Sequence, residues 1–186
     1  MTAPRTRAGG EFRVALVGCG RISRNHFDAL RKVEGLTLTS VCDIVPERAR
    51  AAAEQEGVAC FTSYEDMLRG AEYDIVSVCT PSGLHSAQGA LAAHAGKHVI
   101  TEKPMAITLG QADELVKACD DAGVFLFVVK QNRLNPPVQL LRRAIDKGRF
   151  GRIFLANTTV RWQRPQDYYD AAPWRGTWEF DGGAIM

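Results

Sequence analysis

The chain lacks most features that would set it apart from ordinary globular proteins. Its 186 residues contain no apolar run near the ~20 residues needed to span a bilayer. Neither sign of charge dominates: 23 Lys and Arg against 21 Asp and Glu leave a net +2. That balance argues against nucleic acid or an anionic membrane surface as a partner. The five cysteines are an odd number, and no two are spaced Cys-x-x-Cys. Cys19, Cys42, Cys60, Cys79 and Cys119 therefore read as small apolar residues in a reducing cytosol, and no metal site is expected. Met1–Phe12 lacks the apolar stretch of a secretory leader, and Arg5 and Arg7 read as a ragged basic tail over residues 1–11. The expectation is a soluble cytoplasmic protein without internal repeats or low-complexity segments.

What is present is a composition able to build a core. Hydrophobic residues make up 46% and charged residues 24%, and the length suits one full domain with part of another. Phe12–Val17 is a β-rich run ending in glycine, and Arg21–Val33 reads as a helix. Leu36–Cys42 is a second apolar run. A helix opens at Pro46, where a missing N–H has no partner to lose, and continues through Glu47–Glu56. Strands are predicted at Val58–Phe61, Asp74–Cys79, His98–Thr101 and Val124–Val129. Helices are predicted at Tyr64–Arg69, Leu84–Ala95 and Leu109–Ala122. This alternation predicts an α/β fold: a Rossmann-type parallel sheet with helices on both faces, over residues 12–130.

After residue 130 the pattern changes. Gln131–Pro137 is polar, Val138–Lys147 is an amphipathic helix, and Arg152–Gln163 alternates as a half-buried strand would. Residues 131–186 are expected to begin a second, truncated α/β domain.

The first strand runs into Gly18-Cys19-Gly20-Arg21-Ile22-Ser23. Gly18 allows a tight turn, and Gly20 leaves room for a pyrophosphate. The N-terminus of the following helix, through Arg21 and Ile22, favours that anion. Ser23 stands where a third glycine is usual; it is small enough for close helix–strand packing. Asp43 ends the second strand, 25 residues after Gly18. A carboxylate there can accept from ribose hydroxyls and would repel a 2′-phosphate, so NAD is the expected cofactor.

Two later loops follow strands four and five. Thr80-Pro81-Ser82, with His85 opening the next helix, should meet the middle of the cofactor, though the tripeptide is also an ordinary turn. Glu102-Lys103-Pro104 places two charges at a strand end, where they must be paired or solvated. A Lys ammonium can hydrogen-bond a substrate hydroxyl and stabilise oxyanion character as hydride leaves. An exposed loop lysine is the plain alternative.

These motifs together resemble the glucose–fructose oxidoreductase / inositol dehydrogenase (Gfo/Idh/MocA) family over roughly residues 12–186. The resemblance implies NAD(P)-dependent chemistry on sugars or polyols. It implies an N-terminal Rossmann domain and a C-terminal domain with an open, largely antiparallel sheet. By position Lys103 matches the catalytic lysine, while Glu102 and Thr80–Ser82 match cofactor contacts. Gln131 matches a residue near the nicotinamide, and Trp174 with Arg175 matches a pair approaching that end. Trp162, Trp174 and Trp178 are equally readable as core or interface aromatics. Gln131–Pro136, Gly148–Gly151, Val160–Trp162, Tyr168-Tyr169, Pro173–Trp178 and Asp181–Gly183 resemble the sugar-nucleotide branch.

That branch implies oxidation of the C3 hydroxyl of a UDP-linked N-acetylated uronate to a 3-keto sugar, for surface-polysaccharide synthesis, by a homo-oligomeric parent protein. An inositol or simple hexose dehydrogenase is the alternative; Arg161, Arg164 and Arg175 could serve a diphosphate or be solvated charges. Family members run to about twice this length, and their catalytic histidine closes the motif that begins at Gly182-Gly183. A fragment or truncated product that binds NAD without turnover is thus a third expectation. With it goes a final stretch of ~35 residues that is poorly anchored, since a lone strand leaves its edges open.

Overall fold

The computed structural model describes residues 10–182. They form two units: the chain up to Val129 together with the segment from Gly176, and Lys130–Arg175. The tail with Arg5 and Arg7, and Gly183 of the Gly182-Gly183 pair, lie outside the described residues.

The first unit alternates strand and helix: β1 (Phe12–Val17), α1 (Ser23–Leu30), β2 (Leu36–Cys42), α2 (Pro46–Glu56), β3 (Ala59–Phe61), α3 (Tyr64–Gly70) and β4 (Ile75–Val78). A 3₁₀ turn over Ser82–Leu84 leads to α4 (His85–His94), β5 (His98–Thr101), α5 (Leu109–Ala122) and β6 (Leu126–Val128). All strand pairs are parallel, in the order β3-β2-β1-β4-β5-β6. The order reverses between β1 and β4, which opens a crevice at their carboxyl ends. The fold is the expected Rossmann-type sheet.

Burial explains the strand composition. Val14–Val17 and Ile75–Val78 are buried throughout, as strands covered on both faces must be. Successive β1 residues enter different clusters. Ala15 and Val17 pack with Met67, Tyr73 and Leu115, whereas Leu16 packs with Phe27, Val41 and Ala53. Local chemistry sets the helix starts: Pro46 fills the first turn of α2, and Thr108 Oγ1 accepts from Gln111 N at 3.2 Å to cap α5. Helix α1 is shorter than the predicted Arg21–Val33, because Arg21 and Ile22 belong to the turn leaving the sheet.

The second unit contains a 3₁₀ turn over Gln131–Leu134, α6 (Pro136–Asp146) and α7 (Gln166–Asp170). Helix α6 begins before the predicted Val138, since both prolines fit its first turn. The strand predicted over Arg152–Gln163 does not form, and every one of its residues is exposed. Alternation alone cannot make a ladder. No other strand is found among the described residues of this unit, so these backbone groups have nothing to pair with.

Of the final stretch expected to be poorly anchored, residues 152–163 are exposed throughout, as expected, whereas the turn over 177–182 is held. Gly83 N donates to Phe180 O at 2.9 Å, tying the 177–182 turn to the loop after β4. A Cβ at Gly83 would overlap Glu179 O and lie 2.9 Å from Phe180 Cα, so this approach requires glycine.

Candidate active site

The glycine turn is built against the end of β4. Gly18 has φ +93°, and a Cβ there would lie 2.6–2.7 Å from the Cys79 carbonyl group and Thr80 N. Gly18 N donates to Cys42 O at 2.8 Å. Gly20 differs: a Cβ there would meet no protein atom within 4 Å, so the space it leaves faces outward. Helix α1 follows without a side-chain cap and without acidic residues in its first turn. Arg21 is exposed, and Ile22 packs against the Leu16 cluster. Ser23 is buried and donates to Gly20 O at 2.6 Å, holding the turn where a third glycine would otherwise allow close packing.

Asp43 follows β2 and is 7% exposed. Its Oδ2 accepts from Cys19 N at 2.9 Å and its Oδ1 from Val45 N at 2.8 Å. The carboxylate is thereby aimed beside the glycine turn, and each oxygen keeps a lone pair for a further donor. Burial first, then the charge of Asp43, pushes the Cys19 thiol up to about 12; it stays protonated and inert at neutral pH.

Beyond β4, Thr80 Oγ1 donates to Gln88 Oε1 at 2.6 Å. Pro81 precedes the 3₁₀ turn, and Ser82 within it is buried. His85 is only 2% exposed, with Nε2 2.7 Å from Thr80 O and Nδ1 2.7 Å from Pro104 O. The ring thus lies between two backbone carbonyls, donating to one of them when it carries a single N–H, and bridges the Thr80 loop to the Lys103 loop.

Glu102 and Lys103 follow β5, and the Lys103–Pro104 peptide is cis. Glu102 is buried, whereas Lys103 is exposed. Glu102 Oε1 lies 3.0 Å from His26 Nε2, and its Oε2 accepts from Lys103 N at 3.3 Å. Burial raises the Glu102 pKa, but the hydrogen bond and charge of His26 and the N–H and charge of Lys103 outweigh it. The net effect holds the carboxyl below its ordinary range and ionised.

His26 is the residue that sequence reasoning missed. It sits on α1 without a motif partner, and only the fold brings Ser77 Oγ within 2.9 Å of its Nδ1. The remaining candidates belong to the second unit. Gln131 is exposed in the 3₁₀ turn. Arg175 lies 4.2 Å from the Tyr168 ring centre and 5.7 Å from that of Trp174, and Arg164 lies 4.0 Å from that of Trp162. No cluster of His, Cys, Asp or Glu fit for a metal occurs among the described residues.

These features fit a dinucleotide. The open space at Gly20 and the uncapped helix end suit a pyrophosphate, and the aimed Asp43 suits a ribose diol. Residues 12–130 match the family model for the oxidoreductase family NAD-binding Rossmann fold of GFO_IDH_MocA. The chain belongs to the Gfo/Idh/MocA family. Residues 138–186 also match the GFO/IDH/MocA C-terminal domain.

Among its Gfo/Idh/MocA relatives, D-apiose dehydrogenase of Paraburkholderia graminis is 37% identical over 151 residues, 81% of this chain and 40% of the relative. The solved structure of the WlbA dehydrogenase from Bordetella pertussis, in complex with NADH and UDP-GlcNAcA, is 51% identical. That match covers 95% of this chain and 54% of WlbA, with a TM-score of 0.92. The Chromobacterium violaceum WlbA, in complex with the same two molecules, is 53% identical over 100% of this chain and 54% of its own, with a TM-score of 0.93. The chain spans less than half the length of the curated relatives it matches. No helix among the described residues is long and apolar enough to cross a membrane.

Proposed function

We propose that this chain supplies the cofactor site and the reactive lysine of an NAD-dependent sugar-nucleotide dehydrogenase. Its substrate would be a UDP-linked N-acetylated uronate, oxidised at the C3 hydroxyl to a 3-keto sugar. The carrying observation is the 51–53% identity to the two WlbA structures holding NADH and UDP-GlcNAcA, over 95–100% of this chain. A myo-inositol 2-dehydrogenase structure reaches only 25% identity over 77% of this chain.

When bound, NAD supplies the hydride acceptor. The chain's own residues would bind and orient, while the hydroxyl proton would pass to a base, the histidine that closes the motif beginning at Gly182-Gly183 in family members. Gly18, Gly20, Arg21 and Ile22 would form the backbone cradle for the pyrophosphate, and Asp43 would take the adenosine ribose. Thr80, Pro81 and Ser82 would line the middle, with His85 acting through the loops it bridges. The exposed Lys103 ammonium would donate to the substrate oxygen and stabilise negative charge there as the C–H bond breaks. Glu102 stays ionised beside it. In the second unit, Gln131, Trp174 and Arg175 would serve the nicotinamide end, and Arg161 and Arg164 the diphosphate. Residues 12–130 would act as the cofactor domain and 131–186 as part of a substrate domain.

The test is NADH absorbance in the full-length protein with UDP-GlcNAcA, myo-inositol and D-apiose as competing substrates. Turnover confined to the UDP-sugar supports the proposal; preference for a free sugar overturns it in favour of the simple-polyol reading. Lys103→Ala should lower kcat by roughly 10²-fold or more while leaving NAD affinity unchanged. Near-normal turnover would remove Lys103 from the mechanism.

A further inference from the structure

We propose that His26 is a positioning residue for the nicotinamide end of the site, holding Glu102 and through it the start of the Lys103 loop. The inference rests on the cofactor reading above. His26 lies on α1, Ser77 on β4, and Glu102 directly after β5, so one side chain joins three elements around the switch point. In a doubly wound sheet the β4–β6 half holds the second mononucleotide, which puts Glu102 on the nicotinamide side and Asp43 on the adenosine side.

The carboxylate determines one hydrogen-bond role. An ionised carboxylate only accepts, so His26 Nε2 donates to Glu102 Oε1. Its Nδ1 lies 2.9 Å from Ser77 Oγ: unprotonated, it accepts from the hydroxyl; protonated, it donates to the same oxygen. Cys79 Sγ, 3.8 Å from Ser77 Oγ, can in turn supply a donor to that oxygen. Both ring nitrogens therefore keep a partner in either protonation state. The His26 and Glu102 side chains are only 13% and 10% exposed, so water is a poor substitute for either partner. Neither hydrogen bond of His26 reaches Asp43, so its effect should be local to the nicotinamide side.

This separation gives a readout that simple loss of structure would not mimic. Calorimetry on the full chain compares NAD with ADP-ribose, which keeps the adenosine and pyrophosphate but lacks nicotinamide. His26→Ala should weaken NAD roughly tenfold and leave ADP-ribose within about twofold, the loss of one charge-assisted hydrogen bond. His26→Gln, whose amide can still donate to Glu102, should recover most of the NAD affinity. Ser77→Ala, a milder change, should give a smaller loss confined to NAD. The assignment is overturned by unchanged NAD affinity in His26→Ala, by parallel losses for both ligands, or by a glutamine variant as weak as the alanine one. An unaltered chain that binds neither ligand overturns the cofactor reading itself, and this assignment with it.

Discussion

At Gly18 two requirements coincide that no other residue meets. The backbone is in the left-handed region, and the neighbouring strand end leaves no room for a Cβ. Gly18→Ala should therefore destabilise the first unit by about 2–4 kcal/mol, combining backbone strain with overpacking against main-chain atoms that cannot step aside. Urea unfolding checks this; an unchanged midpoint would mean that the turn does not press on Thr80. Gly18, Asp43 and Lys103 were legible as candidates because their meaning is carried by short spacing: strand then glycine, strand then acid, strand then lysine. His26 was not legible. Its partners lie 51 and 76 residues away, and a single histidine on a helix says nothing of them. His85 was read as a cofactor contact at a helix start. Its place between Thr80 O and Pro104 O is likewise visible only once β4 and β5 lie side by side.

Elements followed the same division. The six parallel strands and the helices between them were readable because apolar runs, prolines at helix starts and caps such as Thr108 act locally. Their ends shifted by a few residues where a turn had to leave the sheet. The segment 152–163 has the alternation of a strand and is not one, because pairing needs a second strand that its own residues do not provide. The turn over residues 177–182 instead meets the loop after β4 through a main-chain hydrogen bond at Gly83. Gly83→Ala should push this turn off the loop after β4. Hydrogen exchange should then report loss of protection at residue 83, with the β1 and β4 amides unchanged. Retained protection there would contradict the contact.

The whole molecule is uneven in how its parts are stabilised. The first unit owns both apolar clusters, whereas residues 131–175 contain no buried residue. Amides of α6 should accordingly exchange roughly 10²–10³ times faster than those of β1 and β4, since local opening there exposes little apolar surface. Native-state hydrogen exchange measures this, and equal protection would argue that α6 has a covering surface. Taken alone, the sequence determined the α/β alternation, the glycine turn with its acid, and the lysine at a strand end. Each depends on the period of a helix or strand and on turn chemistry within a few residues. The tertiary structure alone decided which buried polar groups meet, and whether an alternating segment finds a partner. Those outcomes depend on which strand ends the topology sets side by side, and no local pattern encodes that.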